Sequence, residues 1–319
     1  MDTQNTIIGL GTAAIGRPQY INIKQENTTS ISLDNFEKQG WNTLEYAYQQ
    51  GIRYYDTAPG YGLAEKLLMD WVINKNDPTI EVATKWGYTY TANFDPNAIQ
   101  HEIKEHSLSK LNEQWETSKQ LLPYLKIYQI HSATFESGVL ENKEVLNKLA
   151  ELKATHNLKI GITTSGNNQV DVIKKALDVE IENQALIDVF QVTYNILDQS
   201  LSEIMPRLKN DNKKVVIKEA LANGRLFTNK KYPHYQELYS SLIQLSEKYN
   251  VDVDAIALRF CADMLQPFKI LSGAAIEDHV KGNLKVNQFQ LESEDIKLLQ
   301  SFKVNVKTYW SERKKLSWN

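Results

Sequence analysis

Short apolar runs recur along the whole chain, separated by longer segments in which apolar residues follow a helical spacing. The runs contain three to five residues, many of them β-branched or aromatic, which is typical of strands. They are predicted as strands over residues 7–10, 52–55, 80–83, 127–130, 158–162, 189–192, 215–217 and 268–271. The regular alternation of the two kinds of segment indicates an α/β protein with a parallel sheet.

The amphipathic segments between the runs are predicted as helices. They cover residues 41–50, 64–74, 96–111, 143–155, 169–182, 201–209, 235–249, 253–263 and 292–302. Eight strands with intervening helices are the number that closes a (β/α)8 TIM barrel. Because no linker-like, repetitive or low-complexity tract interrupts the pattern, residues 1–319 are interpreted as a single barrel domain.

Two stretches lie outside this alternation. Residues 17–39 are irregular and are expected to form a loop near the barrel mouth. The tail after Lys303 carries aromatic residues that are expected to pack on the barrel, whereas its mixed-charge segment 312–315 is expected to be solvated.

Composition then removes several classes of function. With 24% charged residues and a net charge of −3, the chain has no basic stripe of the kind that binds nucleic acid. No apolar run approaches the roughly 20 residues of a membrane span, and the N-terminus lacks the order of a signal peptide. The single cysteine, Cys261, excludes an internal disulfide and cysteine-based zinc sites, and it fits a cytoplasmic protein.

Polar residues follow three successive predicted strands at the point where each strand ends. Asp56 follows the second strand, Lys85 the third and His131 the fourth, and Tyr61 lies in the loop just beyond Asp56. In a barrel these ends share one face, which is where such proteins keep their chemistry. We therefore expect the four side chains to meet in one pocket.

The four side chains suit the protonation of an oxygen while a hydride attacks the neighbouring carbon. A tyrosine has a pKa of about 10, and a nearby ammonium is expected to lower it. An aspartate beside the lysine would keep it charged, and a histidine can donate a hydrogen bond to a carbonyl oxygen. None of these groups can donate a hydride, so a cofactor must supply one.

At this point the chain resembles the aldo/keto reductase superfamily, and the resemblance runs from Gly9 to about Asn283. The matching segments are GLGT at 9–12, DTAPGYG at 56–62, VATK at 82–85, YQIH at 128–131, FQVTYN at 190–195 and SGAAIEDHVKGN at 272–283. The family's pattern makes Tyr61 the general acid/base. It implies a small-molecule carbonyl or alcohol as substrate and NADP(H) or NAD(H) as cofactor, with no metal.

The resemblance also assigns the remaining site residues. Lys85 would tune Tyr61, Asp56 would pair with Lys85, and His131 would orient the carbonyl group. The implied cofactor contacts are Gly11, Thr12, Thr163, Gln191, Lys218, Leu221, Asn223, Gly224, Arg225, Gly273, Ala274 and Asn283. Trp86 and Tyr88 are expected to wall the substrate pocket.

The chain departs from the family's pattern in places that affect the cofactor. Thr163 and Thr164 stand where the family often has Ser-Asn, and Lys218 stands where an aromatic residue often stacks on the nicotinamide. Glu277 and Asp278 lie within the last matching segment, 272–283, where users of NADPH often place cations for the 2′-phosphate. This favours NAD(H) or dual use slightly, although Lys281 or Arg225 could reach a phosphate.

Two other functions stay open from sequence alone. One is a nucleotide-sensing binding protein, like the barrel-shaped channel subunits that resemble this family. The other is a cofactor-free lyase or isomerase in which Lys85 forms a Schiff base with its substrate. Substrate, reaction direction and oligomeric state are not assigned.

Overall fold

The structure, a computed structural model, describes residues 6–18, 32–95 and 97–318. Eight parallel strands close into a barrel in chain order, and the last strand pairs with the first. They are β1 (Ile8–Gly11), β2 (Tyr54–Asp56), β3 (Glu81–Trp86), β4 (Leu125–Ile130), β5 (Lys159–Thr163), β6 (Val189–Thr193), β7 (Lys214–Lys218) and β8 (Lys269–Ser272). The predicted (β/α)8 TIM barrel is confirmed.

Helices surround the barrel. Their bounds are Ala13–Gly16, Leu33–Gln49, Ala64–Lys75, Leu108–Ser118, Lys143–His156, Gln169–Leu177, Met205–Asn210, Gln236–Tyr249, Val253–Leu265, Glu277–Leu284, Ser293–Ser301 and Val306–Lys314. Several are ended by an asparagine in the left-handed region, as at Asn76, Asn157 and Asn250. Within the part of the chain that the structure describes, no helix is long and apolar enough to cross a membrane.

A small apolar layer fills the inside of the barrel. It is made by one residue from each of five strands, namely Tyr54, Ala83, Ile127, Val189 and Val216. Gly9 leaves room for it, because a Cβ at that position would lie 2.5 Å from a ring carbon of Tyr54. The larger core lies between the sheet and the helices.

The residues two positions further along the same strands form the next layer towards the carboxyl ends. Side chains of a strand alternate between its two faces, so residues i and i+2 point the same way. The residues of this layer are Asp56, Lys85, Gln129, Gln191 and Lys218. The step from an apolar to a polar layer therefore places charged and amide groups at the floor of the barrel mouth.

In two of the segments predicted as helices, the structure has strands in place of part of the helix. Instead of a helix over 96–111, Glu102–Lys104 pairs antiparallel with Tyr88–Tyr90, and the helix begins at Leu108 with Ser107 as its N-cap. The apolar spacing misled the prediction, since Ile99 and Ile103 are exposed. The predicted helix 169–182 ends at Leu177, and a hairpin follows.

That hairpin joins Glu180–Ile181 to Gln184–Ala185. Its two connecting residues, Glu182 and Asn183, both have positive φ, which is the conformation of a tight two-residue hairpin turn. The loop prediction for 17–39 is also wrong at its end, since a helix begins at Leu33, while residues 19–31 lie outside the described part of the chain.

The C-terminal helix Val306–Lys314 packs on the barrel through Tyr309 and Trp310, both of which are buried. The Trp310 indole N–H donates to the Asp198 carboxylate at 3.1 Å. The expectation of a solvated segment 312–315 is wrong for its first two residues. The Glu312 carboxylate pairs with a fully buried Arg225, and Arg313 donates to Glu219.

Candidate active site

The Asp56 carboxylate is the centre of a buried polar cluster at the barrel mouth. The Lys85 ammonium donates to its Oδ1 at 2.5 Å, and the amides of Gln191 and Gln129 donate to its Oδ2 at 2.7 and 3.3 Å. Lys85 also donates to the main-chain oxygen of Thr57 at 2.8 Å. The Lys85 and Asp56 side chains are 0% and 2% exposed, so they form a buried ion pair without contact to solvent. The two glutamine amides satisfy the second carboxylate oxygen of Asp56.

Neighbouring strands hold this cluster in place. The main-chain oxygen of Asp56 accepts from the Thr12 amide at 2.9 Å and from the Thr12 hydroxyl at 3.0 Å, which joins the ends of β1 and β2. Gly161 on β5 leaves space for Gln129, since a Cβ there would lie 2.9 Å from the Gln129 Cγ. Gln129 is a site residue that the sequence analysis missed, although its place two residues after Ile127 could have indicated it.

Tyr61 and His131 lie above this ion pair. Tyr61 ends a single turn of 3-10 helix, Pro59–Tyr61, that follows β2. The Lys85 ammonium is 4.7 Å from the centroid of the Tyr61 ring, and the rings of Tyr61 and His131 meet edge to face at 5.5 Å. The structure thus brings together the four residues that sequence singled out.

Burial raises the pKa of the Tyr61 phenol well above its usual value, and the charge of Asp56 adds to this effect. The expected lowering of the Tyr61 pKa by Lys85 is therefore not observed, since burial is the largest influence on this group and Asp56 acts in the same direction. Burial also lowers the pKa of His131, with further lowering by Lys85 and Lys218. At neutral pH the site accordingly offers a protonated phenol beside a neutral imidazole.

Comparison with known proteins decides the family. The model of the aldo/keto reductase family matches residues 8–303. The chain belongs to the aldo/keto reductase family. It is accordingly an NAD(P)-dependent oxidoreductase, and its cofactor is NADP(H) or NAD(H).

Individual aldo/keto reductases resemble the chain at low identity. It is 24% identical over 323 residues to the NADH-specific methylglyoxal reductase of Escherichia coli, covering 92% of this chain and 93% of that protein. It is 24% identical over 256 residues to the D-threo-aldose 1-dehydrogenase of a Pseudomonas species, covering 70% and 75% of the two chains. The glycerol dehydrogenase of Gluconobacter oxydans has the same fold, with a TM-score of 0.72, 22% identity and coverage of 95% and 92%.

Residues that directly follow β5 and β8 fit a nicotinamide cofactor of this family. The Thr164 hydroxyl is buried and has no hydrogen-bond partner among the described residues. An added Cβ at Gly273 would meet nothing within 4 Å, so the backbone there is open to a ligand. A nicotinamide cofactor carries an amide and phosphates, and these groups can form hydrogen bonds with unpaired hydroxyls and accessible backbone groups at the barrel mouth.

Several of the sequence-predicted cofactor residues are engaged with protein groups. Gln191 donates to Asp56, the Thr163 hydroxyl accepts from the Ser132 amide at 2.7 Å, and the Asn283 amide is held between Ser272 and Asp254. The Arg225 guanidinium donates to the main-chain oxygens of Ala222 and Tyr309. The sequence did not indicate these protein partners, and cofactor contacts by these residues stay predictions.

The two predicted pocket walls differ from one another. Trp86 is fully buried in the core and packs against His106 at 5.3 Å between ring centroids, so it does not line the open pocket and that prediction is wrong. Tyr88, in contrast, is only half-buried, and its ring lies 4.6 Å from that of His131.

His106 and Arg17 are positioning residues that the sequence analysis missed. His106 Nε2 lies 2.9 Å from the main-chain oxygen of His131, and burial lowers the His106 pKa to about 4, so the ring is neutral. The Arg17 guanidinium lies between the rings of Tyr61 and Trp318, at 5.5 and 4.6 Å, and pairs with Glu102 at 3.1 Å. Trp318 thus contacts Arg17, which in turn contacts Tyr61.

Behind the site, Glu65 lines a cavity of about 370 Å³. Its carboxyl accepts from the hydroxyls of Thr84 and Ser118 at 2.5 and 2.9 Å, and burial raises its pKa to about 7. A carboxyl group whose pKa is higher in the folded than in the unfolded protein contributes stability at a pH below its unfolded pKa. This contribution is lost as the pH rises through its folded pKa. The window here runs from about pH 4.5 to about pH 7.

Glu65→Gln is therefore expected to remove a decline in the free energy of unfolding between pH 4.5 and 7. That decline is at most about 1.4 kcal/mol per pH unit, the value of one pKa unit. Urea unfolding of both proteins at half-unit pH steps measures it. Glu113→Gln, on the exposed rim of the same cavity, serves as the control and should keep the wild-type slope.

Proposed function

We propose that the protein reduces an aldehyde or ketone, with Tyr61 delivering the proton to the carbonyl oxygen. The nicotinamide cofactor, when bound, supplies the hydride to the carbonyl carbon. His131 orients the carbonyl oxygen as a neutral hydrogen-bond donor, and Tyr61 donates its phenolic proton to that oxygen. The Asp56–Lys85 pair fixes the floor beneath the phenol, with the Lys85 ammonium 4.7 Å from the centroid of the Tyr61 ring.

The observation that carries this proposal is the buried Asp56–Lys85 ion pair beneath Tyr61 and His131. A Schiff-base function for Lys85 is disfavoured by the same contacts. Its amine is fully buried and donates to both Asp56 and Thr57, so it could attack a carbonyl only after that ion pair had been broken.

The test measures the consumption of NADH and NADPH by their absorbance at 340 nm in the presence of each of a panel of aldehydes and ketones. The reactions are then stopped and analysed for the alcohol product. Cofactor consumption matched by alcohol supports the proposal. Tight cofactor binding without turnover across the panel would support the nucleotide-sensing function instead. Treatment with substrate and borohydride in the absence of cofactor should leave the mass of the protein unchanged. A covalent substrate adduct would support the Schiff-base function.

We further propose that the enzyme uses NAD(H) or both cofactors, without a strong preference for NADPH. Glu277 and Asp278 are exposed in the first turn of helix Glu277–Leu284, beside a cleft of about 430 Å³ that Lys38 also lines. Two carboxylates repel a 2′-phosphate, whereas acids can bond ribose hydroxyls. One relative of the chain is named an NADH-specific reductase.

The dissociation constants of the two reduced cofactors, from quenching of tryptophan fluorescence, test this preference. NADPH should bind no more than about tenfold tighter than NADH, a difference of some 1.4 kcal/mol. Glu277→Gln/Asp278→Asn should tighten the binding of NADPH and should not tighten that of NADH. The control is Glu294→Gln in the first turn of helix Ser293–Ser301, and an NADPH preference above tenfold in the wild type contradicts the proposal.

A further inference from the structure

Lys218 is a cation in the same inward-facing layer as Lys85. It is the last residue of β7, two positions beyond Val216 in the apolar layer. Its ammonium donates to two neutral hydroxyls, those of Ser165 and Thr193, each at 3.1 Å. The side chain is therefore held across the ends of three neighbouring strands and faces the barrel mouth.

Lys218 differs from three other cations around the pocket, because each of those three is paired with a carboxylate within 4 Å. These pairs are Lys85–Asp56, Arg313–Glu219 and Arg17–Glu102. Over residues 6–18, 32–95 and 97–318, no carboxylate forms such a pair with Lys218. Glu219 is the carboxylate that acts most strongly on Lys218, but it makes no contact with the ammonium and is itself paired with Arg313 at 2.9 Å. Among the described residues, the Lys218 ammonium thus lies at the pocket without a carboxylate in direct contact.

The charge of Lys218 reaches the reacting groups. Burial is the main cause that lowers the His131 pKa, and the charges of Lys85 and Lys218 both add to it. Burial also lowers the pKa of Lys218, an effect that Glu219 opposes and that Arg313 and Lys85 reinforce. The charge of Lys218 therefore acts on His131, the residue that orients the carbonyl oxygen in the proposed reaction.

Hydride transfer needs the nicotinamide carbon in contact with the carbonyl carbon, so the ring must enter this same pocket. The reduced ring is neutral, whereas the oxidised ring is a pyridinium cation. We propose that the Lys218 ammonium makes the site bind the reduced cofactor more tightly than the oxidised cofactor. The inference rests on the proposed function, because it requires the nicotinamide at the barrel mouth.

This preference has a direct consequence for turnover. Like charges that are only partly screened repel one another strongly inside a protein. The positive charge that appears on the ring after reduction of the substrate would raise the free energy of the bound oxidised cofactor and speed its release. Lys218 would thereby reduce product inhibition in the direction of carbonyl reduction.

The experiment measures dissociation constants by isothermal titration calorimetry, using NADH and NAD⁺, or NADPH and NADP⁺ if the wild type binds those more tightly. Wild type should bind the reduced form more tightly. Lys218→Met should lower the ratio of the oxidised to the reduced dissociation constant by about tenfold. Lys218→Arg, which keeps the charge, should hold that ratio within about threefold of the wild-type value.

Two controls separate this effect from damage to the fold. Lys214→Met removes a lysine from the opposite end of β7 and should leave the ratio unchanged. ADP-ribose, which lacks the nicotinamide ring, should bind wild type and Lys218→Met equally well. A ratio unchanged in Lys218→Met, with ADP-ribose binding intact, overturns the role of Lys218 alone. Failure of the wild type to bind either nicotinamide form overturns both this inference and the proposed function.

Discussion

Replacing Tyr61 by phenylalanine is expected to lower carbonyl reduction by about 10²-fold or more, the usual size of a general-acid contribution. The substitution keeps the ring that meets His131 at 5.5 Å and removes only the hydroxyl. Because burial and Asp56 keep the phenol protonated, the wild-type enzyme begins the reaction with the proton already in place. The binding of the reduced cofactor should change by less than about threefold.

Single-turnover measurements with saturating cofactor give the rate of the chemical step directly. Tyr46→Phe is a suitable control, since Tyr46 lies on the outer helix Leu33–Gln49, away from the barrel mouth. That variant should react at the wild-type rate. If Tyr61→Phe retains most of the wild-type rate, another group delivers the proton, and the proposed role of Tyr61 is wrong.

The barrel could be predicted because its strands carry a local signal. A run of β-branched and aromatic residues that ends in a polar residue marks both a strand and the face on which it ends. Asp56, Lys85 and His131 each follow such a run, and so their side chains converge wherever eight parallel strands close. Their proximity needed no knowledge of the loops.

The errors arose where spacing alone could not tell which side chains are buried. Ile99 and Ile103 fit a helical pattern, yet both are exposed, and Glu102–Lys104 forms a strand that pairs with Tyr88–Tyr90. That pairing depends on the position of a preceding segment rather than on the residues themselves. Tertiary contacts of this kind override local propensity.

Long-range polar contacts were likewise hidden from sequence. Gln191 bonds Asp56 across 135 residues, and Arg225 is buried against the C-terminal helix. Nothing local to either residue indicates its partner. The expected lowering of the Tyr61 pKa was wrong for a similar reason, because the sequence does not show the burial that raises this pKa.

The Asp56–Lys85 pair gives the second large effect. Removing one partner of a buried ion pair leaves an uncompensated charge, which typically costs about 3–5 kcal/mol of stability. Asp56→Asn and Lys85→Met should each destabilise the fold by that amount, as measured by urea unfolding. The double variant Asp56→Asn/Lys85→Met has no buried charge in this place and should regain most of the lost stability.

Activity should behave differently from stability in these three proteins. If the pair supports Tyr61, the double variant should reduce carbonyls no faster than the less active of the two single variants, although its stability has recovered. The reason is that the effects of residues that act as a unit are not additive. The exposed pair Lys66–Asp70 is the matched control, and Lys66→Met/Asp70→Asn should change stability by less than about 0.5 kcal/mol and leave activity intact. Recovery of activity together with stability in the Asp56→Asn/Lys85→Met protein would mean that the pair only holds the barrel together, and that Tyr61 works without it.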